Sequence, residues 1–75
     1  MDVFEVEQTT PYEVRLTDAG RTATIAGEPI VDREGHWRFA VYRTDVTHGD
    51  DGALMSTDER ARALRTLTER GTRLD

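Results

Sequence analysis

The chain has 75 residues, enough for one core and too few for two, since compact domains run to about 50–250 residues. Its 15 acidic and 10 basic residues leave a net charge of −5, which opposes phosphate binding, and no run of eighteen apolar residues occurs, so nucleic-acid-binding and membrane-spanning classes are disfavoured. There is no cysteine, so no disulfide offsets the marginal stability of so small a core, and self-association is one remaining remedy.

The first residues, Met1-Asp2-Val3-Phe4-Glu5, carry neither a basic start nor an apolar run, and the expectation is a soluble, cytoplasmic protein. All ten basic residues are arginine, which fits both GC-rich coding and mild salt adaptation. At 36% hydrophobic and 33% charged the chain is polar, yet its apolar residues recur at regular periods, which marks a folded domain.

Residues 3–8 alternate, with Phe4 and Val6 on one face and Val3, Glu5 and Glu7 on the other, which predicts a half-buried strand. Thr9-Thr10-Pro11 ends it. Residues 12–18 and 21–26 alternate again around Asp18-Ala19-Gly20, which predicts a hairpin whose glycine supplies a positive φ. Gly27-Glu28-Pro29 reads as a break, and Ile30-Val31-Asp32 leads through Arg33-Glu34-Gly35 into the most strand-like segment, residues 36–43. There Trp37, Phe39 and Val41 are expected in the core, and His36, Arg38, Ala40 and Tyr42 on a more polar face.

Residues 44–55 carry two glycines and no sustained period and are expected to form a loop, with a paired stretch at Val46. Ser56-Thr57-Asp58-Glu59 has the form of a capping box opening a helix over 57–70, and Gly71 suits the left-handed position after its last turn. Ala61, Leu64, Leu67 and Thr68 are spaced as a buried stripe, and Asp58, Arg62, Arg65 and Glu69 as a solvated one. Residues 72–75 are too few for another independent element. The expected fold is therefore α+β: one domain over residues 1–75, an antiparallel β-meander of about four strands with one C-terminal helix packed on one face.

Chemistry is sparse. The single serine, Ser56, is better used as a helix cap than as a nucleophile, and no triad, dinucleotide fingerprint or phosphate loop is present. His48 with Asp50 gives only a weak metal set, and a calcium loop ending near Asp58 lacks its bidentate Glu. No catalytic residue, cofactor or metal is expected. Trp37 and Phe39 could stack bases, but they lie on the face the helix must cover, so core is the favoured reading. Tyr42, projecting with His36 and Arg38 on the side one helix cannot cover, fits an interface. The acids Asp45, Asp50 and Asp51 have two readings: they keep a loop solvated, or they form a negative patch steering a basic partner, in which case replacing Asp50 and Asp51 with Asn slows association and leaves thermal stability nearly unchanged.

From Gly20 onward the chain resembles small immunity proteins of bacterial polymorphic toxin systems. The matching pieces are Gly20-Arg21-Thr22, Ile25-Ala26-Gly27-Glu28, Phe39-Ala40-Val41-Tyr42-Arg43, the acidic loop, and Ser56 through Glu59-Arg60-Ala61-Arg62 opening a helix that ends at Gly71. The resemblance covers about two-thirds of the chain and implies a non-catalytic domain that neutralises a cognate toxin; a strand after Gly71 would complete it. The candidate partner-binding residues are His36, Arg38, Tyr42, Asp45, Asp50 and Asp51. The alternatives are a self-associating, homodimeric structural protein and, less favoured, a nucleic-acid regulator using Arg62, Arg65 and Arg70, which the interleaved Asp58 and Glu69 oppose.

Overall fold

The computed structural model describes residues 5–18 and 20–75. Elements follow in the order β1 (Glu5–Thr10), β2 (Glu13–Asp18), β3 (Arg21–Ala26), β4 (Glu28–Val31), β5 (Trp37–Val41), a 3-10 turn at Arg43–Asp45, α1 (Thr57–Glu69) and β6 (Arg73–Leu74). The α+β class, the antiparallel sheet and the C-terminal helix are as expected. The strands fall into two three-stranded sheets, β1-β2-β3 and β4-β5-β6.

Alternation builds the first sheet. Across β2 and β3, Val14 faces Ile25 and Leu16 faces Ala23, and all four side chains are buried on one face; Val6 of β1 lies opposite Leu16 and packs against the same cluster. Gly20 turns the hairpin at φ +82°. Ala63 and Leu67 of α1 join this face, with Val41, Val46 and Met55 completing the core. Fully buried side chains such as Leu16, Ile25 and Leu67 are each worth roughly 1.5–3 kcal/mol over leaving them in water. The expected placements of Val3 and Phe4 lie outside the described residues.

The second sheet grows from the first at Gly27. Its N–H donates to the Tyr12 carbonyl at 2.9 Å, and a Cβ there would stand 2.4 Å from the Ala40 carbonyl oxygen and 2.6 Å from the Phe39 ring. Only a residue without a side chain lets β4 follow β3 around this bend. β5 pairs antiparallel with β4, and β6 pairs parallel with the end of β5, through Ala40 with Arg73 and Val41 with Leu74. Within the last four residues Arg73–Leu74 thus adds a two-residue strand after Gly71 (φ +83°), which the shortness of the segment argued against.

Helix α1 opens on the expected capping box: the Glu59 N–H donates to the Ser56 hydroxyl at 3.1 Å, and the Ser56 N–H donates to the Glu59 carboxylate at 3.2 Å. Its buried stripe is rotated from the expected one. Ala63, Thr66 and Leu67 are buried, Leu64 is half-buried, and Ala61 and Thr68 are exposed. Arg62, placed by pattern on the solvated side, is instead half-buried and meets Asp18 at 3.0 Å, so an arginine stem with its charge paired packs where a solvated side chain was expected.

The faces of β5 also differ from expectation. Trp37 is 74% exposed, Phe39 is half-buried, and Ala40 and Val41 are both buried. The reason is geometric: only the end of β5 lies within the core, where it is flanked by β4 and β6. Its start runs out beside Arg70 and Gly71, where the helix stops instead of covering it.

Candidate partner-binding surfaces

The six candidate residues do not form one surface; the structure divides them among three places. Asp50 and Asp51 sit in a hairpin-like loop closed by Met55 N–H to the Thr47 carbonyl (2.8 Å) and Gly49 N–H to the Ala53 carbonyl (3.0 Å). The loop's paired position is His48 with Leu54, while Val46 is buried in the core, not paired as a strand.

Asp50 is clamped on the edge of β3. Its N–H donates to the Thr22 carbonyl at 2.8 Å, while its carboxylate accepts the Thr24 N–H at 2.8 Å and the hydroxyls of Thr22 and Thr24 at 3.0 and 3.1 Å. These bonds, chiefly the Thr24 N–H, hold its carboxyl below the ordinary aspartate range. Asp51 accepts the Ala53 N–H at 2.9 Å and lies 3.7 Å from Arg21. Both acids hold the loop to the sheet, so the expectation that their amidation leaves thermal stability unchanged does not survive for Asp50.

His36 and Arg38 stand at the β4–β5 turn. Arg38 meets Asp32 at 3.5 Å, and the His36 ring lies 3.7 Å from Glu34, an ion pair only when the ring is protonated. Asp32 organises that turn by accepting the N–H groups of Glu34 and His36, each at 2.9 Å. Tyr42 and Asp45 are found together elsewhere, in an open groove of about 290 Å³ that also takes Glu28 and Asp75. Every charge lining that groove is negative. Tyr42 is 57% exposed, and the Asp45 side chain has no partner among the described residues.

On the other face of the β4–β5 ribbon lies a surface that the sequence pattern did not reveal. Val31 pairs across the strands with Trp37, and Pro29 with Phe39, so alternation puts these four side chains on one face. Val31 is 54% exposed and Trp37 74%. A groove of about 500 Å³ runs beside Trp37 and Phe39, and the charges lining it, Arg38 and Arg70, are both positive.

Several arginines are turned inward. Arg21 meets Glu59 at 2.5 Å and donates to the Ala53 carbonyl at 3.1 Å; Arg60 donates to the carbonyls of Val46 and Arg43, each at 2.9 Å. They tie loop, helix and sheet together, which no local sequence signal announces. Among the described residues no cluster of three or more His, Cys, Asp or Glu is arranged around a metal position, and His48 is engaged with the Thr47 hydroxyl at 2.9 Å. No described helix is long and apolar enough to cross a membrane. Comparison of the chain with family models, curated proteins and solved structures finds no match in any of the three.

Proposed function

We propose that the protein is a small non-catalytic protein-binding module that presents its Tyr42–Asp45 face to a basic surface on its partner, with toxin neutralisation as its specific form. The observation that carries this reading is the groove in which an exposed tyrosine is ringed by Glu28, Asp45 and Asp75 with no positive charge among its lining residues. Asp75 is paired with Arg73 at 2.9 Å, while Asp45 and Glu28 have no side-chain partner among the described residues, and an exposed Tyr beside such acids suits an arginine-rich partner: the ring supplies apolar contact and cation–π attraction, and the carboxylates take the guanidinium bonds. The net charge of −5 adds long-range steering. Of the three arginines the nucleic-acid alternative needs, Arg62 is committed to Asp18 while Arg65 and Arg70 are exposed, and the net charge of −5 opposes phosphate binding.

The test is calorimetric titration against the product of the adjoining reading frame. Tyr42→Ala should weaken binding at least about tenfold, as truncation of a central aromatic anchor does. Asp45→Asn should slow association more than it speeds dissociation. Absence of binding by the parent protein would remove the toxin-neutralising form, and full affinity in Tyr42→Ala would remove this face.

A further inference from the structure

The two faces of the β4–β5 ribbon are chemically complementary. One carries Val31, Trp37 and Phe39 beside Arg70, with Arg38 only bordering the groove while held by Asp32 at 3.5 Å; the other carries Tyr42 among Glu28, Asp45 and Asp75. Arg70, just past the end of α1, has no side-chain partner among the described residues, and neither has Asp45. The Trp37 face is thus an arginine-bearing aromatic surface, which is the chemistry assigned above to the partner of the Tyr42 face.

We infer that this chain associates with a second copy head to tail, the Trp37–Arg70 face of one molecule seated on the Tyr42–Asp45 face of the next. The inference rests on the reading of the Tyr42 face as a receiver of basic surfaces. Face-to-face contact is favoured because the nearest edge is closed. The Asp75 N–H donates to the Val41 carbonyl and the Arg43 N–H to the Asp75 carbonyl, so the odd-numbered backbone groups of β5 point toward β6 and the even ones toward β4. The Asp32 N–H to His36 carbonyl bond continues the even set, which leaves position 29 of β4 facing outward. Pro29 stands there and has no N–H to offer a further strand. An apolar ribbon that cannot readily add a strand at its β4 edge is left to be covered on its face.

Such a contact is heterologous: the two surfaces differ, and a dimer keeps one of each free, a Trp37 face on one molecule and a Tyr42 face on the other. That property gives a test specific to it. Sedimentation velocity of the parent protein should show the weight-average mass rising above the 8.5 kDa monomer as concentration approaches the order of 1 mM, as for a weak contact. Arg70→Glu should abolish the rise by spoiling one face, and Asp45→Arg by spoiling the other. Mixed in equal amounts, the two variants should recover a dimer and stop there, because each still has the surface the other has lost. Circular dichroism melts matching the parent's show that both variants are folded, and a Trp37→Ala/Asp45→Arg double variant mixed with Arg70→Glu should form no mixed dimer, because neither then keeps an intact Trp37–Arg70 face. A parent that stays monomeric over this range overturns the inference and leaves the Trp37 face to another protein, while binding of a basic partner at Tyr42 would stand unaffected. Self-association that survives both single variants overturns it in favour of a contact elsewhere, such as the β1 edge. Loss of association in both variants with no recovery on mixing overturns the head-to-tail arrangement.

Discussion

Asp50 completes β3 in place of a neighbouring strand: its N–H meets the Thr22 carbonyl and its carboxylate receives the Thr24 N–H, the two bonds that an adjacent strand residue would make through its backbone. Asp50→Ala leaves the Thr24 N–H and both threonine hydroxyls without this acceptor. The thermal midpoint should fall by several degrees, and hydrogen exchange at Thr24 should speed up more than at Leu16. Unchanged exchange at Thr24 would mean that the loop contributes nothing to the sheet edge.

Acid sensitivity follows from Asp50 and Glu59. The carboxyl of Glu59 is also held below its ordinary value, chiefly by the Ser56 N–H and further by the charge of Arg21. Both groups are more acidic folded than unfolded, so their stabilisation is fully present above the ordinary values of 3.8 and 4.5 and is lost as pH falls through the lowered folded values. Melting curves from neutral to strongly acidic pH should show the midpoint dropping steeply in that window. The Asp50→Asn/Glu59→Gln double variant should start lower at neutral pH and show a shallower drop.

Leu67 and Leu64 should separate cleanly. Leu67 is fully buried, and Leu67→Ala should cost about 2–5 kcal/mol, enough to unfold a marginal domain. Leu64 is only half-buried, and Leu64→Ala should cost roughly half as much or less. Urea denaturation of the two variants side by side decides it, and equal losses would contradict the orientation of α1.

Gly27→Ala adds a methyl group 2.4 Å from the Ala40 carbonyl oxygen, a backbone atom, and 2.6 Å from the Phe39 ring. The expected result is a loss of several kcal/mol, at the upper end for single substitutions, with little soluble folded protein recovered. Ala at Gly35 (φ +83°) meets nothing within 4 Å and carries only the conformational penalty of about 1 kcal/mol, so the pair separates steric from backbone strain.

What the sequence reveals here is what neighbouring residues settle among themselves. The capping box needs only Ser56 and Glu59, and the hairpin needs only Gly20 and its alternating flanks, so both are legible. Pro29 reads as a break because proline lacks an N–H, yet β4 runs through it because that position faces away from β5. Trp37 looks like core by type and spacing, but its placement depends on where α1 ends, thirty residues on. The stripe of α1 is misread for a related reason: Arg62 counts as polar until Asp18, far away in sequence, takes its charge. Of the candidate residues, Tyr42 and Asp45 come together, whereas the clamp on Asp50 depends on Thr24 across the fold and leaves no local trace.

The parallel pairing of β5 with β6 has a kinetic consequence. Because these strands are adjacent and run the same way, everything between Val41 and Arg73 is a single closed loop whose ends meet only when the loop, the helix and its Gly71 turn have all found their places. The hairpin of β2 and β3 can form from near neighbours in microseconds, but this closure must wait for distant ones, which makes it a late event in folding. The final residues then act as a latch: the Asp75 N–H bonds to Val41 at the end of β5 and its carbonyl to Arg43 just beyond, so clipping off Leu74 and Asp75 should mainly hasten unfolding and leave the rate of folding nearly as it was.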